Sequence, residues 1–313
     1  MSIASTTKPV TVATHNGTFH ADDVFGVSVL LALHPEARLI RTRDEALIAE
    51  ADFAVDVGGV WDASRGRFDH HQRGFEGARP NGVVYASAGL VWAAHGLAVV
   101  EQLFNLNDPA LSAAIADDLD VELVQHLDRA DTGTDRGAPG VFGMAALLGQ
   151  LNITWDHPAS VNKDQAAILV QFRQAADVCT IFWKAALDQI RARYQGAQRV
   201  RESERACNGA VLVLPRTGLP WAEVVCSEMP EVLYVVYPDS QDRQYQLHVV
   251  TVEPRSFDAR KDLPKAWAGL RDAELAEVTG VPDAVFCHNG LFIAGAGSLS
   301  GALRMAEIAL QTA

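Results

Sequence analysis

Apolar runs of two lengths alternate along the first sixty residues. Val10-Thr-Val-Ala-Thr14 alternates and is rich in β-branched side chains, which predicts a strand. Val24-Phe-Gly-Val-Ser-Val-Leu-Leu-Ala-Leu33 is apolar on nearly every face and predicts a buried helix. Arg38-Leu-Ile-Arg-Thr42 predicts a second strand, Asp44 to Glu50 a short helix, and Phe53-Ala-Val-Asp-Val57 a third strand closed by Gly58-Gly59. This β-α-β-α-β rhythm implies a parallel sheet with right-handed crossovers. Leu119 to Asp131 has the spacing of an amphipathic helix, and 162–198 reads as one long helix with neither Gly nor Pro before Gly196. Beyond Ala206 three strands, 210–215, 232–238 and 245–252, alternate with helical stretches such as Trp221 to Met229 and predict a second α/β layer. A helix from Leu299 to Leu310 closes the chain.

With 313 residues, two domains are the better expectation. The pattern divides into a first domain over 1–160, a helical connector over 161–204 and a smaller domain over 205–313. The long helix also suits a lid or a homodimer contact. Hydrophobic residues make up 49% of the chain and charged residues 21%, as in ordinary globular proteins. No apolar run reaches the roughly 18 residues of a membrane span, and Met1-Ser-Ile-Ala-Ser-Thr-Thr-Lys-Pro9 lacks a signal-type apolar core. A cytoplasmic location is expected. Cys179, Cys207, Cys226 and Cys287 show no CxxC spacing and read as buried small apolar residues. A net charge of -13 gives little attraction for a long duplex. A small phosphate ester or a single-strand end held through metal fits better.

The candidate chemistry sits where the predicted strands end, which is where parallel α/β sheets present their sites. His15, His20 and Asp22 fall within eight residues, and the intervening Asn-Gly-Thr lets the loop turn tightly. Asp56 interrupts an apolar strand, where an unpaired carboxylate would be costly. Its two oxygens make it a candidate bridge between two ions roughly 3.5–4 Å apart. Asp69-His70-His71 offers one imidazole to metal, a carboxylate to orient a ring, and a second imidazole to substrate. Neighbours in extended chain face opposite ways, so His70 is assigned to metal and His71 to the phosphate or leaving oxygen. Mixed imidazole and carboxylate ligands suit manganese, iron, cobalt or zinc. Downstream, Asp128 and Asp131 share a helix face at i, i+3, one as ligand and one supporting it. His126, His157 and His248 read as solvent-facing, turn and core residues.

In the last third, Arg255, Arg260 and Lys261 gather past a strand end. The small residues at 294–298, with Gly295, Gly297 and Ser298, form a potential amide nest at a helix start, with His288 just upstream. These seven residues are the candidate substrate contacts.

The ordered set of motifs resembles the DHH phosphoesterase superfamily and, in its wording, the melanocyte proliferating gene exonuclease branch. The matching stretches are His15-Asn-Gly-Thr-Phe-His20-Ala-Asp22-Asp23, Ile40-Arg-Thr-Arg-Asp44, Val55-Asp-Val-Gly-Gly59, Phe68-Asp-His-His-Gln-Arg73 and Ser87-Ala-Gly-Leu90. Ser256-Phe-Asp-Ala-Arg-Lys-Asp-Leu-Pro264, Ala266-Trp-Ala-Gly-Leu270 and Cys287-His-Asn-Gly290 continue the match. The resemblance implies a two-domain, two-metal phosphodiesterase, with metal binding by the domain over 1–160 and substrate binding by the one over 205–313. By motif position His15, His20 and Asp56 would hold one ion, and Asp22, Asp56, His70 and a downstream Asp the other. The superfamily usually has Asp in the place of His20, and the branch usually has Asn where Thr132 stands.

The expectation is a divalent-metal phosphodiesterase, with manganese ahead of magnesium, cobalt, iron or zinc, in which a two-metal-activated water attacks phosphorus. Asp56, Asp69 and His71 would be its catalytic residues. The resemblance points to RNA cut from its 3′ end. A pyrophosphatase or small-nucleotide phosphodiesterase, a metal-dependent hydrolase of other bonds and a metal-sequestering protein are the rivals.

Overall fold

The computed structural model describes residues 8–135 and 143–312. They form two compact units, Met1–Arg191 and Ala192–Ala313. In the first, β1 (Thr11–Thr14), α1 (Ala21–Leu33), β2 (Arg38–Arg41), α2 (Glu45–Glu50) and β3 (Phe53–Val55) follow the expected rhythm. Two short strands follow, β4 (Trp61–Asp62) and β5 (Arg67–Phe68), and the sheet order is β2-β1-β3-β5-β4. All pairs are parallel except β4 with β5. In register, Thr14 pairs with Val55 and Val55 with Phe68. The residues that follow each strand end, His15, Asp56 and Asp69, are therefore delivered side by side at one edge.

Helix α1 starts at Ala21, earlier than the apolar run suggests, because Asp23 reaches back to accept from the His20 amide at 2.8 Å. It lies close on the sheet at Gly26, where an added Cβ would sit 2.8 Å from Val55. Helix α3 (Ser87–Phe104) packs beside it, followed by α4 (Pro109–Leu119) and α5 (Gln125–Asp131). The single amphipathic helix expected over 119–131 contains a π-helical stretch, Asp120–Val124, where the hydrogen-bond ladder widens.

Short helices α6 (Met144–Gly149) and α7 (Pro158–Val161) lead into α8 (Gln165–Arg201), the long helix read from the sequence. Its first part is not free-standing. Phe172, Ala175, Ala176, Cys179, Trp183, Leu187 and Ile190 are buried at helical spacing. The Trp183 indole also donates to Ser28 Oγ at 3.0 Å. The boundary between the two units falls inside this helix rather than at its ends.

The second unit holds β6 (Glu204–Ala206), β7 (Val211–Val213), α9 (Trp221–Glu228), β8 (Tyr234–Pro238) and β9 (Tyr245–Val249). After these come α10 (Asp272–Thr279), β10 (Ala284–Cys287), β11 (Ile293–Ala296) and α11 (Leu299–Gln311). Its sheet runs β10-β11-β9-β8-β7-β6, with only β7 and β8 parallel. Helix α11 buries Ala302, Met305, Ala306 and Ala309 in the core of this unit. No helix among the described residues is long and apolar enough to cross a membrane.

Candidate metal centre

Asp56 leaves β3 with φ at 56°, a left-handed backbone that costs a residue with a Cβ about 1–2 kcal/mol. That turn presents the carboxylate to three imidazoles. Asp56 Oδ2 lies 3.4 Å from His15 Nε2, and Oδ1 lies 3.5 Å from His70 Nε2 and 3.2 Å from His71 Nδ1. Burial alone would raise its pKa, but hydrogen bonds from His15, His70 and His71 hold it far below the usual carboxylate range.

Three groups of possible ligands bring their donor atoms within 4.8 Å of one another: His15, His20 and Asp56; Asp56, His70 and His71; and Asp22, His70 and Asp131. His70 Nε2 lies 3.2 Å from Asp131 Oδ2 and 4.0 Å from Asp22 Oδ2. His15 donates through Nδ1 to the Asn16 carbonyl at 3.0 Å, which leaves Nε2 for the centre. Burial opposes charge on His15, yet Asp23 and Asp56 raise its pKa to about 10. His70 reaches about 10 in the same way through Asp131 and Asp56.

The carboxylates are held by amides at the start of α3. Asp22 accepts from the Ser87 and Ala88 N–H groups at 3.1 and 2.6 Å, and Asp128 accepts from Gly89 N–H at 2.9 Å. Three first-turn donors of α3 thus find partners in acids aimed at its positive end. Burial and the charges of Asp56, Asp131 and Asp128 push the Asp22 pKa well up. Three carboxylates crowd within 4.0 Å of the buried His70 Nε2, and a divalent cation would balance their charge, so the residues fit divalent metal.

Asp69 does a different job. It accepts from Gly59 N–H at 2.6 Å and from His71 N–H at 3.0 Å, and its Oδ1 accepts from the His71 Nδ1–H at 2.9 Å. The His71 side chain remains 62% exposed, on the recess of ≈ 580 Å3 that the centre opens onto. Its pKa is raised by hydrogen bonds to Asp56, then Asp69, against the opposing effect of burial.

The sequence left Asp128 and Asp131 equivalent, and the structure separates them. Asp131 faces His70, whereas Asp128 is fully buried and receives Arg79 Nη1 at 2.6 Å. Asp131 is thus the acid placed among the possible ligands, and Asp128 fixes Arg79 and the start of α3. Arg79 also grips Asp120 through Nε at 2.7 Å and stacks on Tyr85 at 4.1 Å. Neither Arg79 nor Asp120 was singled out from sequence, because their partners lie 41 and 49 residues apart along the chain. Arg41 was also missed. It donates to the carbonyls of His15 and Gly17 at 3.1 and 2.9 Å and so shapes the ligand loop.

In the second unit three expectations change. Arg260 donates to the carbonyls of Val225, Cys226, Met229 and Val232 and so caps the end of α9. Lys261 reaches the carbonyls of Leu310 and Thr312 at the end of α11. The nest at 294–298 is filled from within: Ser298 donates to Asp283 Oδ2 at 2.6 Å, and Gly297 N–H donates to the Asp283 carbonyl at 2.8 Å. A Cβ on Gly301 would strike the Asp283 carboxylate, which therefore covers the start of α11. Gly295 serves packing, its face pressed on the Phe286 ring. Arg255 and His288 remain at the surface of this unit. His157 caps α7 by accepting from Ala159 N–H at 3.1 Å, His126 is exposed, and His248 packs among Trp221, Tyr237 and Phe292.

Parallel strands that deliver His15, Asp56 and Asp69-His70-His71 to one edge, followed by a smaller mixed α/β unit, define a two-unit α/β protein with a candidate metal centre. The MYG1 exonuclease family model, described as "uncharacterised protein family (UPF0160)", matches residues 11–310, and the chain belongs to that family. It is 31% identical over 329 residues to human MYG1 exonuclease, covering 96% of this chain and 86% of that one. It is 30% identical to the MYG1 protein of Caenorhabditis elegans, with 96% and 95% covered. A solved structure of RecJ in complex with Mg2+ from Thermus thermophilus aligns at 16% identity and a TM-score of 0.27, over 98% of this chain and half of that one.

Proposed function

We propose that the protein is a phosphodiesterase that removes nucleotides from RNA, working from the 3′ end with two divalent cations, manganese first among them. The observation that carries this reading is Asp56, whose left-handed backbone sets one carboxylate among His15, His70 and His71. The family's human and bovine members bear the name exonuclease, which supports a nucleic-acid end as substrate.

His15, His20 and Asp56 would hold one cation, and Asp22, His70 and Asp131 the other, with Asp56 shared. The chemistry they supply when bound is Lewis acidity, which draws charge from phosphoryl oxygens and makes water more acidic. The chain's own part is orientation and proton handling. Asp69 holds the His71 ring through Nδ1, so Nε2 is the nitrogen that can meet a leaving oxygen and protonate it. Ser87 and Ala88 fix Asp22, and Arg41 fixes the loop of His15, so the ligand geometry is set before substrate arrives.

The test is incubation of the manganese-loaded protein with 3′- and 5′-labelled oligoribonucleotides, alongside pyrophosphate and dinucleotides. Stepwise loss of 3′ nucleotides, abolished in Asp56→Ala, is expected. Cleavage of pyrophosphate or dinucleotides alone would replace the exonuclease reading by the small-substrate one. No cleavage of any phosphate ester would end both.

A further inference from the structure

A second recess, of ≈ 480 Å3, opens beside the centre and shares Arg43, Val57, Gly58 and Gly59 with it. Gly58 and Gly59 have φ of 98° and 64°, and they cross the boundary between the two spaces as bare backbone. A Cβ on Gly58 would press Ile48 at 3.1 Å, so the threshold is kept low by the absence of side chains. The walls bring Arg43, Arg65 and Arg67 together against one acid, Glu45. In a chain of net charge -13, beside a centre made of acids, that concentration of guanidinium runs against the general trend.

The three arginines differ in freedom. Arg67 is fixed, donating to the carbonyls of Ala49 and Ala51 at 3.2 and 2.9 Å and to those of Asp52 and Gly66. Its charge is a permanent part of the wall. Arg43 and Arg65 are exposed, and Asp62, which accepts from the Ser64 hydroxyl at 2.7 Å, also feels the backbone N–H and the charge of Arg65. A guanidinium fork matches phosphate oxygens two at a time, which a lysine cannot do.

We infer that this recess holds the backbone phosphates next to the scissile one in a single-stranded polynucleotide, with Arg43 on the first and Arg65 and Arg67 on the next. The inference rests on the phosphodiesterase reading and adds to it a preference for chains over single diesters. The contacts are to phosphate, so RNA and DNA strands engage it alike, and the sugar is chosen elsewhere.

The test compares manganese-loaded wild type, Arg43→Gln and Arg65→Gln on a pentaribonucleotide, its deoxy counterpart and bis(p-nitrophenyl) phosphate. Anisotropy of a labelled pentaribonucleotide is read in parallel. Each variant should raise KM and Kd for both pentamers about tenfold and flatten the log Kd against log salt slope by about 0.7 per lost contact. In Arg65→Gln, which lies outside the recess of the centre, KM for the small diester should move less than about twofold, because it carries one phosphate and that sits at the metals. Unchanged pentamer affinity and salt slope would overturn the inference, and so would an equal loss on the small diester in Arg65→Gln. If wild type cleaves none of the three, the phosphodiesterase reading fails on its own, and anisotropy alone then decides the recess.

Discussion

Replacing Arg79 by Met removes one buried charge from a network of three. Arg79 is 6% exposed and pairs with Asp128, which is fully buried, and with Asp120, which still meets solvent. Breaking a buried pair by deleting one partner costs about 3–5 kcal/mol, because the other charge is left uncompensated. Asp128 is that charge. Burial has already raised its pKa to about 6 while Arg79 and Gly89 pull it down, so losing Arg79 sends it higher. A carboxyl with a raised folded pKa weighs against the folded state above its unfolded value near 4. The penalty grows with pH until the folded pKa is passed, and each unit is worth about 1.4 kcal/mol. Arg79→Met should therefore lose about 3–5 kcal/mol at pH 8 and at least about 1 kcal/mol less at pH 5, where Asp128 keeps its proton. Adding Asp128→Asn should recover part of the loss at pH 8, since the amide oxygen still accepts from Gly89. Urea unfolding of wild type, Arg79→Met and the double variant at both pH values measures this. Equal losses at pH 5 and 8 with no recovery would show that Arg79 acts by packing on Tyr85 and that the charge argument is wrong.

Gly89→Ala would drive a Cβ into Asp128 Oδ2 and place it 2.7 Å from Arg79 Nη2, so a loss of about 1–3 kcal/mol is expected in urea unfolding. His71→Gln should lower kcat about 10²–10⁴-fold while metal content, read by elemental analysis, stays at the wild-type level. Manganese added to chelated protein should raise the melting temperature, with a gain of about 2.7 kcal/mol at a hundredfold excess over Kd. In Asp56→Asn the bound metal should fall toward one ion per chain, because the shared ligand is weakened. Two ions retained at wild-type affinity would remove Asp56 from the bridge.

The parallel core of the first unit was legible because its strands and helices carry contrasting apolar patterns and end in punctuating loops. The group around Asp69-His70-His71 was legible because histidines and acids cluster at those ends. What escaped the sequence depended on partners far along the chain. Asp128 and Asp131 have the same residue type and share a helix face, and only Arg79 on a distant loop separates them. The small residues at 294–298 read as an open nest, because Asp283, which fills it, belongs to the stretch before β10. Arg260 and Lys261 looked like substrate contacts since a cap on the end of another helix leaves no local pattern. Strands β4 and β5, two residues each, are too short for any periodicity to show.

Helix α8 sets where the polypeptide can be divided. A shortened chain stopped near residue 160, at the seam the pattern suggests, would leave the slot for Phe172, Cys179 and Trp183 open to water and take the indole donor from Ser28 Oγ. One begun near 205 would strip Val200 from the apolar cluster around Leu212 and Val225. Cutting this chain at either end of the helix is thus disfavoured. Residues 165–191 of the helix belong with the first unit and 192–201 with the second, so the seam between them lies near the C-terminal end of an unbroken rod.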